Sequence, residues 1–336
     1  MKGTLAVLGR HRGREAAALM RDGRLEDLLI DAEDGAPVPG AVFRAVCDRP
    51  VKGQGGMFVR LGEGLMGFWR GAKGRAPGDR VLMRVTGHAE PGKAVPVSDR
   101  VLFRSRHVIV TPGAPGLNVA RSIRDDAERD RLLEIGHDAV PERGDTGVIL
   151  RSACAEADAD AIAEDLTATW DVAARVMADS GDGAEALLDG PSAHARAWID
   201  WADAEASTPD WDVVADQVDA LRAPRVELGG TTLWIEPTRA LVAVDVNTAD
   251  GSPAGGLRAN LACARDLPRQ LRLRGLGGQV VLDLAPMPKK ERRGWEAALR
   301  AALRDDPVET SLIGWTPLGH YELTRKRERR PLEDLL

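Results

Sequence analysis

Two short apolar runs hold the residues best suited to chemistry, LVAVDVN at 241–247 and QVVLDL at 279–284. A carboxylate interrupts each. Side chains alternate along a strand, so Val242, Val244 and Val246 share one face while Asp245 and Asn247 share the other. In the second run Val280, Leu282 and Leu284 oppose Val281, Asp283 and Ala285. An ionised carboxylate among such neighbours is costly unless it is paired or holds a cation. Two aspartates and an asparagine at strand ends are hard oxygen donors, a set that suits Mg²⁺ or Mn²⁺ better than Zn²⁺. Such a cation could activate water and offset charge on a phosphoryl oxygen during in-line attack. The bland alternative is that either aspartate is structural. His11, His88, His107, His137, His194 and His320 are scattered, so a histidine-centred site is not expected. The chain contains no GxxxxGK[ST] loop and no evident Ser-His-Asp arrangement.

The formal charge of −6 hides an uneven distribution. Residues 36–110 carry thirteen Lys and Arg against five Asp and Glu, residues 155–222 three against seventeen, and residues 265–331 fifteen against nine. Basic segments flanking a carboxylate site suit a polyanionic substrate. A compositional bias that places Arg and Asp on any solvated face would also contribute to this pattern. Cys47, Cys154 and Cys263 are widely spaced and form no CxxC pair, which predicts reduced, buried thiols. No run is long enough for a membrane helix and the N-terminus has no signal-peptide core, so a cytoplasmic protein without a membrane partner is expected.

Several elements must position these residues. Residues 1–34 read as strands with a tight turn at Asp22-Gly23, followed by a GAPVPG linker at 35–40. Five short strand-like segments between about 40 and 104 fit a small barrel such as the OB-fold. Phe58 and Phe68 are candidate stacking platforms there, with Arg60, Arg70, Lys73 and Lys93 available for phosphates; both rings could equally be barrel core. The run GVILRS ends in Arg151 and Ser152, a guanidinium and a hydroxyl able to grip a phosphate, with a surface salt bridge as the plainer role for the arginine. Amphipathic helices are expected at 156–178, 192–206 and 211–221, the last two joined by a Thr208-Pro209 turn, with Trp198, Trp201 and Trp211 as packing residues. The final third alternates strands with helices, which indicates an α/β catalytic unit. Its basic helix would turn Arg269, Arg272 and Arg274 toward the substrate backbone, and a last helix would carry TRKRERR.

At these residues the chain resembles the ribonuclease E/G family of bacterial endoribonucleases. VAVDVNT is similar to the family's D-[IV]-N-[ST] segment, and NLACARDLPRQLRLRGLGGQVVLDL to its N-L-x-x-A…I-A-R-Q-L-R-L-R-x-L-G-G-x-[IV]-[IV]-[IV]-D segment. LGHYELTRKR resembles the ending F-G-L-x-E-[MI]-[ST]-R-x-R, and MKGTLAVLG, GMFVRLG…GFW and GVILRS extend the likeness more faintly. The resemblance implies an α+β multi-subdomain fold: an RNase H-like subdomain at 1–36 and 186–225, an inserted OB-fold barrel at 37–104, a 5′-sensor-like region at 105–185 and a DNase I-like α/β catalytic subdomain at 226–336. It further implies Mg²⁺-dependent cleavage of single-stranded, AU-rich RNA to a 5′ phosphate and a 3′ hydroxyl, in RNA processing or decay. Carried over by position, Asp245 and Asp283 match the metal-binding aspartates and Asn247 the catalytic asparagine. Phe58, Phe68 and Lys93 match RNA-holding barrel residues, and Arg151 and Ser152 the 5′-phosphate contacts, with Ser in place of the usual Thr.

Three departures bound the transfer. The family's zinc-link, CPxCxGTG, is not in this sequence, so neither zinc nor a zinc-bridged homo-oligomer is expected, though another oligomer is compatible. The sensor's usual arginine from the catalytic subdomain gives way to DDPVET, which offers Glu309 or a neighbour in its place, so a preference for 5′-monophosphorylated ends is not expected to carry over. The stretch 186–225 is also shorter than the family's. An RNA-binding paralogue whose cleavage has lapsed is the alternative reading.

Overall fold

Alternating burial along the chain divides it into strands whose apolar faces pack against a few amphipathic helices. The computed structural model describes every residue except 1, 2, 33, 34, 52, 54, 91, 203, 208–210 and 336, and the expected Thr208-Pro209 turn lies outside the described residues. The chain forms two compact units, one from residues 1–32 with 206–336 and the other from residues 33–205. Among the described residues, no helix is long and apolar enough to cross a membrane.

In the first unit, strands Thr4–His11, Arg14–Arg21 and Arg24–Ile30 form an antiparallel meander. Asp22 and Gly23 both adopt positive φ, as a type I′ hairpin turn requires. Arg12-Gly13 makes a second hairpin turn of the same kind, between His11 and Arg14.

Among the described residues a six-stranded sheet follows. Its spatial order is Arg225–Glu227, Thr231–Pro237, Val242–Thr248, Gly278–Asp283, Tyr321–Arg325 and Thr310–Trp315. Only Val242–Thr248 and Gly278–Asp283 run parallel, and the 21-residue helix Pro253–Leu273 makes the crossover between them. Ser252 caps this helix by accepting from the Gly255 amide, with Pro253 in the first turn where its missing N–H costs nothing. Val242, Val244, Val246, Val280 and Leu282 face inward onto Ala259, Cys263, Leu267 and Leu271 of the helix. The helix expected over TRKRERR does not form: Thr324 and Arg325 end the strand Tyr321–Arg325, and residues 326–330 follow it outside any helix or strand. Tyr321, Leu323 and Arg325 alternate inward with period two, and Arg325 is buried because Asp306 receives its guanidinium at 2.8 Å.

In the second unit, Val42–Val51, Gly56–Gly62, Leu65–Arg70, Arg80–Val85 and Val95–Ser98 form a closed five-stranded, OB-like barrel among the described residues. Pairing of the first of these strands with the fourth closes it. Met57, Val59, Leu61, Trp69, Met83 and Val97 fill its interior. A smaller sheet contains Val108–Thr111, Gly147–Leu150 and Gly116–Val119, and it packs with helices Asp126–Ala139 and Ala159–Met177. Trp198, expected as a core or helix-packing residue, is 58% exposed; its ring lies under the Arg106 guanidinium at 3.9 Å. The mixed α/β architecture agrees with the sequence expectation, and all three cysteines are free and buried.

Candidate active site

Parallel pairing sets Asp245 directly beside Asp283. Their neighbours Val244 and Leu282 point into the core, so both carboxylates stand on the solvent face, where the Asp283 side chain is 67% exposed. Asn247, two residues along on the same face, donates its Nδ2 to Asp245 Oδ2 at 2.6 Å. The sequence-predicted triad is therefore brought together where the strand Gly278–Asp283 ends beside the middle of its parallel neighbour, Val242–Thr248.

Two buried contacts hold the end of the second strand. Asn260 on the crossover helix donates Nδ2 to the Ala285 carbonyl at 2.8 Å and accepts the Ala285 amide on Oδ1 at 3.0 Å. Trp295 in turn donates its indole N–H to the Asn260 carbonyl at 2.9 Å. The helix approaches so closely that a Cβ on Gly256 would stand 2.2 Å from the Pro286 carbonyl oxygen. A larger residue there would separate the helix from the loop that follows Asp283.

Sequence reasoning missed two residues at this face. His320 places Nδ1 3.3 Å from Asp283 Oδ1, and its backbone is fixed by a turn in which the Thr316 hydroxyl accepts the His320 amide at 3.1 Å. It occupies the position of leucine in the F-G-L pattern, so only that departure could have flagged it. Trp234 pairs across the sheet with Asp245, lies on the same face and is 38% exposed. The alternation Leu233, Trp234, Ile235 predicts an outward ring; the register that puts it beside Asp245 is not local information. Among the described residues no three His, Cys, Asp or Glu side chains gather as a metal cage.

The basic helix departs from expectation. Arg269 donates Nε to the Leu25 carbonyl at 2.7 Å and lies beside Asp266. Arg272 pairs with Asp306 and donates to the Glu26 carbonyl at 2.7 Å, while Arg274 bonds Gln270 and the Ala223 carbonyl. Burial lowers the Arg274 guanidinium to about 10. All three guanidiniums are thus taken up by partners within the unit, Arg269 and Arg272 at the strand carrying Leu25 and Glu26 and Arg274 at the end of the helix.

In the second unit Phe58 and Phe68 are cross-strand partners with ring centroids 5.6 Å apart. They alternate with the core residues Met57, Val59 and Trp69, so both rings lie on the barrel's outer face and outside its core. Arg49 sits over Phe58 at 5.2 Å, and exposed Arg60 and Arg70 continue the same face. Lys93 is tied to Glu90 at 3.0 Å. Arg151 donates Nη1 to the carbonyls of Ser105, Arg106 and Ile199, and burial lowers its pKa. Ser152 is exposed at the start of a 3₁₀ turn.

The model of the ribonuclease E/G family matches residues 103–208 and 192–328, which together cover most of the chain. The chain belongs to the ribonuclease E/G family. It is similar to ribonuclease G of Escherichia coli strain K12, at 28% identity over 77% of this chain and 62% of that protein. Ribonuclease G of Salmonella typhimurium strain SL1344 is 27% identical over the same shares. Ribonuclease E of Nostoc sp. strain PCC 7120 is 25% identical over 96% of this chain and 56% of that protein. The chain thus spans about three-fifths of the length of these ribonuclease E/G relatives.

Proposed function

We propose that this chain is a metal-dependent endoribonuclease that cuts single-stranded RNA during RNA processing or decay in the bacterial cytoplasm, leaving a 5′ phosphate and a 3′ hydroxyl. The observation that carries the reading is the in-register pairing of Asp245 with Asp283 on an open sheet face, with Asn247 bonded to the first. Two adjacent carboxylates fit Mg²⁺, or Mn²⁺, because Mg²⁺ commonly takes one or two carboxylates and keeps several waters. When bound, the cation supplies an acidified water and charge neutralisation at the phosphodiester. Asp245 and Asp283 hold it, and Asn247 and His320 each fix the orientation of one carboxylate. Trp234 flanks the pair as a surface on which a base can stack. Similarity to proteins named ribonuclease G and ribonuclease E supports the same reaction class.

In this reading 226–336 is the DNase I-like subdomain, 1–36 with 186–225 the RNase H-like subdomain, and 105–185 the 5′-sensor-like region. Phe58 and Phe68 stack bases while Lys93 meets phosphate, and Ser152 with Arg151 borders a terminal phosphate. Incubating the protein with a fluorescent single-stranded AU-rich RNA and Mg²⁺, beside Asp283→Asn, tests the proposal. Cleavage by the parent alone, with RNA binding retained in both, is expected. Binding by both with cleavage by neither would leave the lapsed, RNA-binding paralogue as the correct reading.

A further inference from the structure

The helix Arg292–Arg304 begins with a cation. Among the described residues Arg292 has no carboxylate partner, and its Nε is buried without a hydrogen-bond acceptor. A buried donor left unmade is unfavourable, and native proteins retain few of them. What fixes this guanidinium is an aromatic plate: its Cζ lies 3.9 Å from the centroid of the Trp315 ring. The plate is itself held in place: Trp315 donates its indole N–H to Glu296 at 2.6 Å and packs at 5.6 Å from Trp295 and edge-on at 5.2 Å from Tyr321. Glu296 stands one turn along from Arg292, yet its carboxylate oxygen serves the indole.

The guanidinium also reaches the turn that carries Gly319 and His320. Arg292 Nη2 lies 3.8 Å from where a Cβ on Gly319 would stand, and the next residue is His320, whose Nδ1 reaches Asp283. A planar, permanently charged fork, held on one face by a ring and unpaired along its edge, matches a phosphate group geometrically and electrostatically. We propose that Arg292 binds an RNA phosphate flanking the scissile one, as a substrate-positioning residue supported by Trp315. The proposal rests on the RNA-cleavage reading above and assigns a contact to a residue that the family motifs did not mark.

The test compares Arg292→Gln and Arg292→Met with the parent, the methionine keeping an apolar stem over Trp315. Binding of a single-stranded oligoribonucleotide is measured between about 50 and 200 mM salt in an Asp283→Asn background, and kcat and KM in the cleaving background. Loss of one phosphate contact flattens the plot of log affinity against log salt by about 0.7, the single-strand value per contact. KM is expected to rise roughly tenfold while kcat changes less, the pattern of lost ground-state binding. Trp315→Phe, which keeps a ring, should leave the salt slope unchanged. A parental salt slope and KM in either folded Arg292 variant overturns the proposal, as does weaker binding with an unaltered slope. If the parent neither binds nor cuts RNA, the functional reading itself fails; if the parent cuts and the variants match it, only the role of Arg292 does.

Discussion

Phe58 and Phe68 owe their position to two residues that yield space. Gly56 has no Cβ, which would otherwise meet the Phe68 ring at 2.5 Å, and Gly67 lets the strand lie flat against Val59. Because both rings lie outside the barrel core, Phe58→Ala should weaken single-stranded RNA binding by about 1–3 kcal/mol with little change in Tm. Fluorescence anisotropy and a thermal melt check this together; a lowered Tm without an RNA-specific loss would assign the ring to packing. At this scale the sequence was informative where chemistry follows from local alternation. Asp245, Asn247 and Asp283 were legible because a carboxylate inside an apolar strand pattern stands out. His320 was not, since its contact with Asp283 depends on a turn and on strand pairing distant in sequence. The surroundings of Arg269, Arg272 and Arg274 were hidden for a related reason: composition reports their charge, while their partners at Leu25, Glu26, Asp306 and Ala223 come from tertiary structure.

At the scale of elements, the carboxylate face depends on how the crossover helix grips the strand it precedes. Asn260 is fully buried and spends both ends of its amide on the backbone of Ala285. Asn260→Ala strands a donor and an acceptor, so it should cost at least about 1–3 kcal/mol in urea denaturation and should lower kcat as the end of the Asp283 strand loosens. An unchanged midpoint with full activity would show that the clamp is dispensable. Strand and helix order was largely readable from apolar periodicity, including the five barrel strands and the crossover helix. TRKR was not, because an inward-facing arginine in a strand looks like part of a polar helical face until Asp306 is found beneath it.

At the scale of the molecule, the first unit draws on both ends of the chain, and a chain of buried charges joins them. Asp27 receives both terminal nitrogens of Arg329 and lies 3.5 Å from Arg272, which also reaches Asp306. Burial pushes the Asp27 carboxyl up, but Arg329 and Arg272 together outweigh it and hold the pKa below the ordinary 3.8. A carboxyl depressed in the folded state stabilises above its unfolded value, and that contribution is lost as pH falls through the lower folded value. Acid unfolding of the parent should therefore begin only below about pH 4, whereas Arg329→Met should cost about 3–5 kcal/mol and unfold at higher pH. Circular dichroism during acid titration reads this directly, and coincident midpoints would refute it. Charge distribution suggested a polyanion at this scale, but the tie between residue 27 and residue 329 had no local signature. The in-register aspartates have one last consequence. Their separation is the interval between two hydrogen-bonded strands, about 4.7–4.9 Å, and so belongs to the main chain. Such a ruler does not drift as surrounding side chains are exchanged: it fails only when the sheet comes apart or an aspartate is replaced.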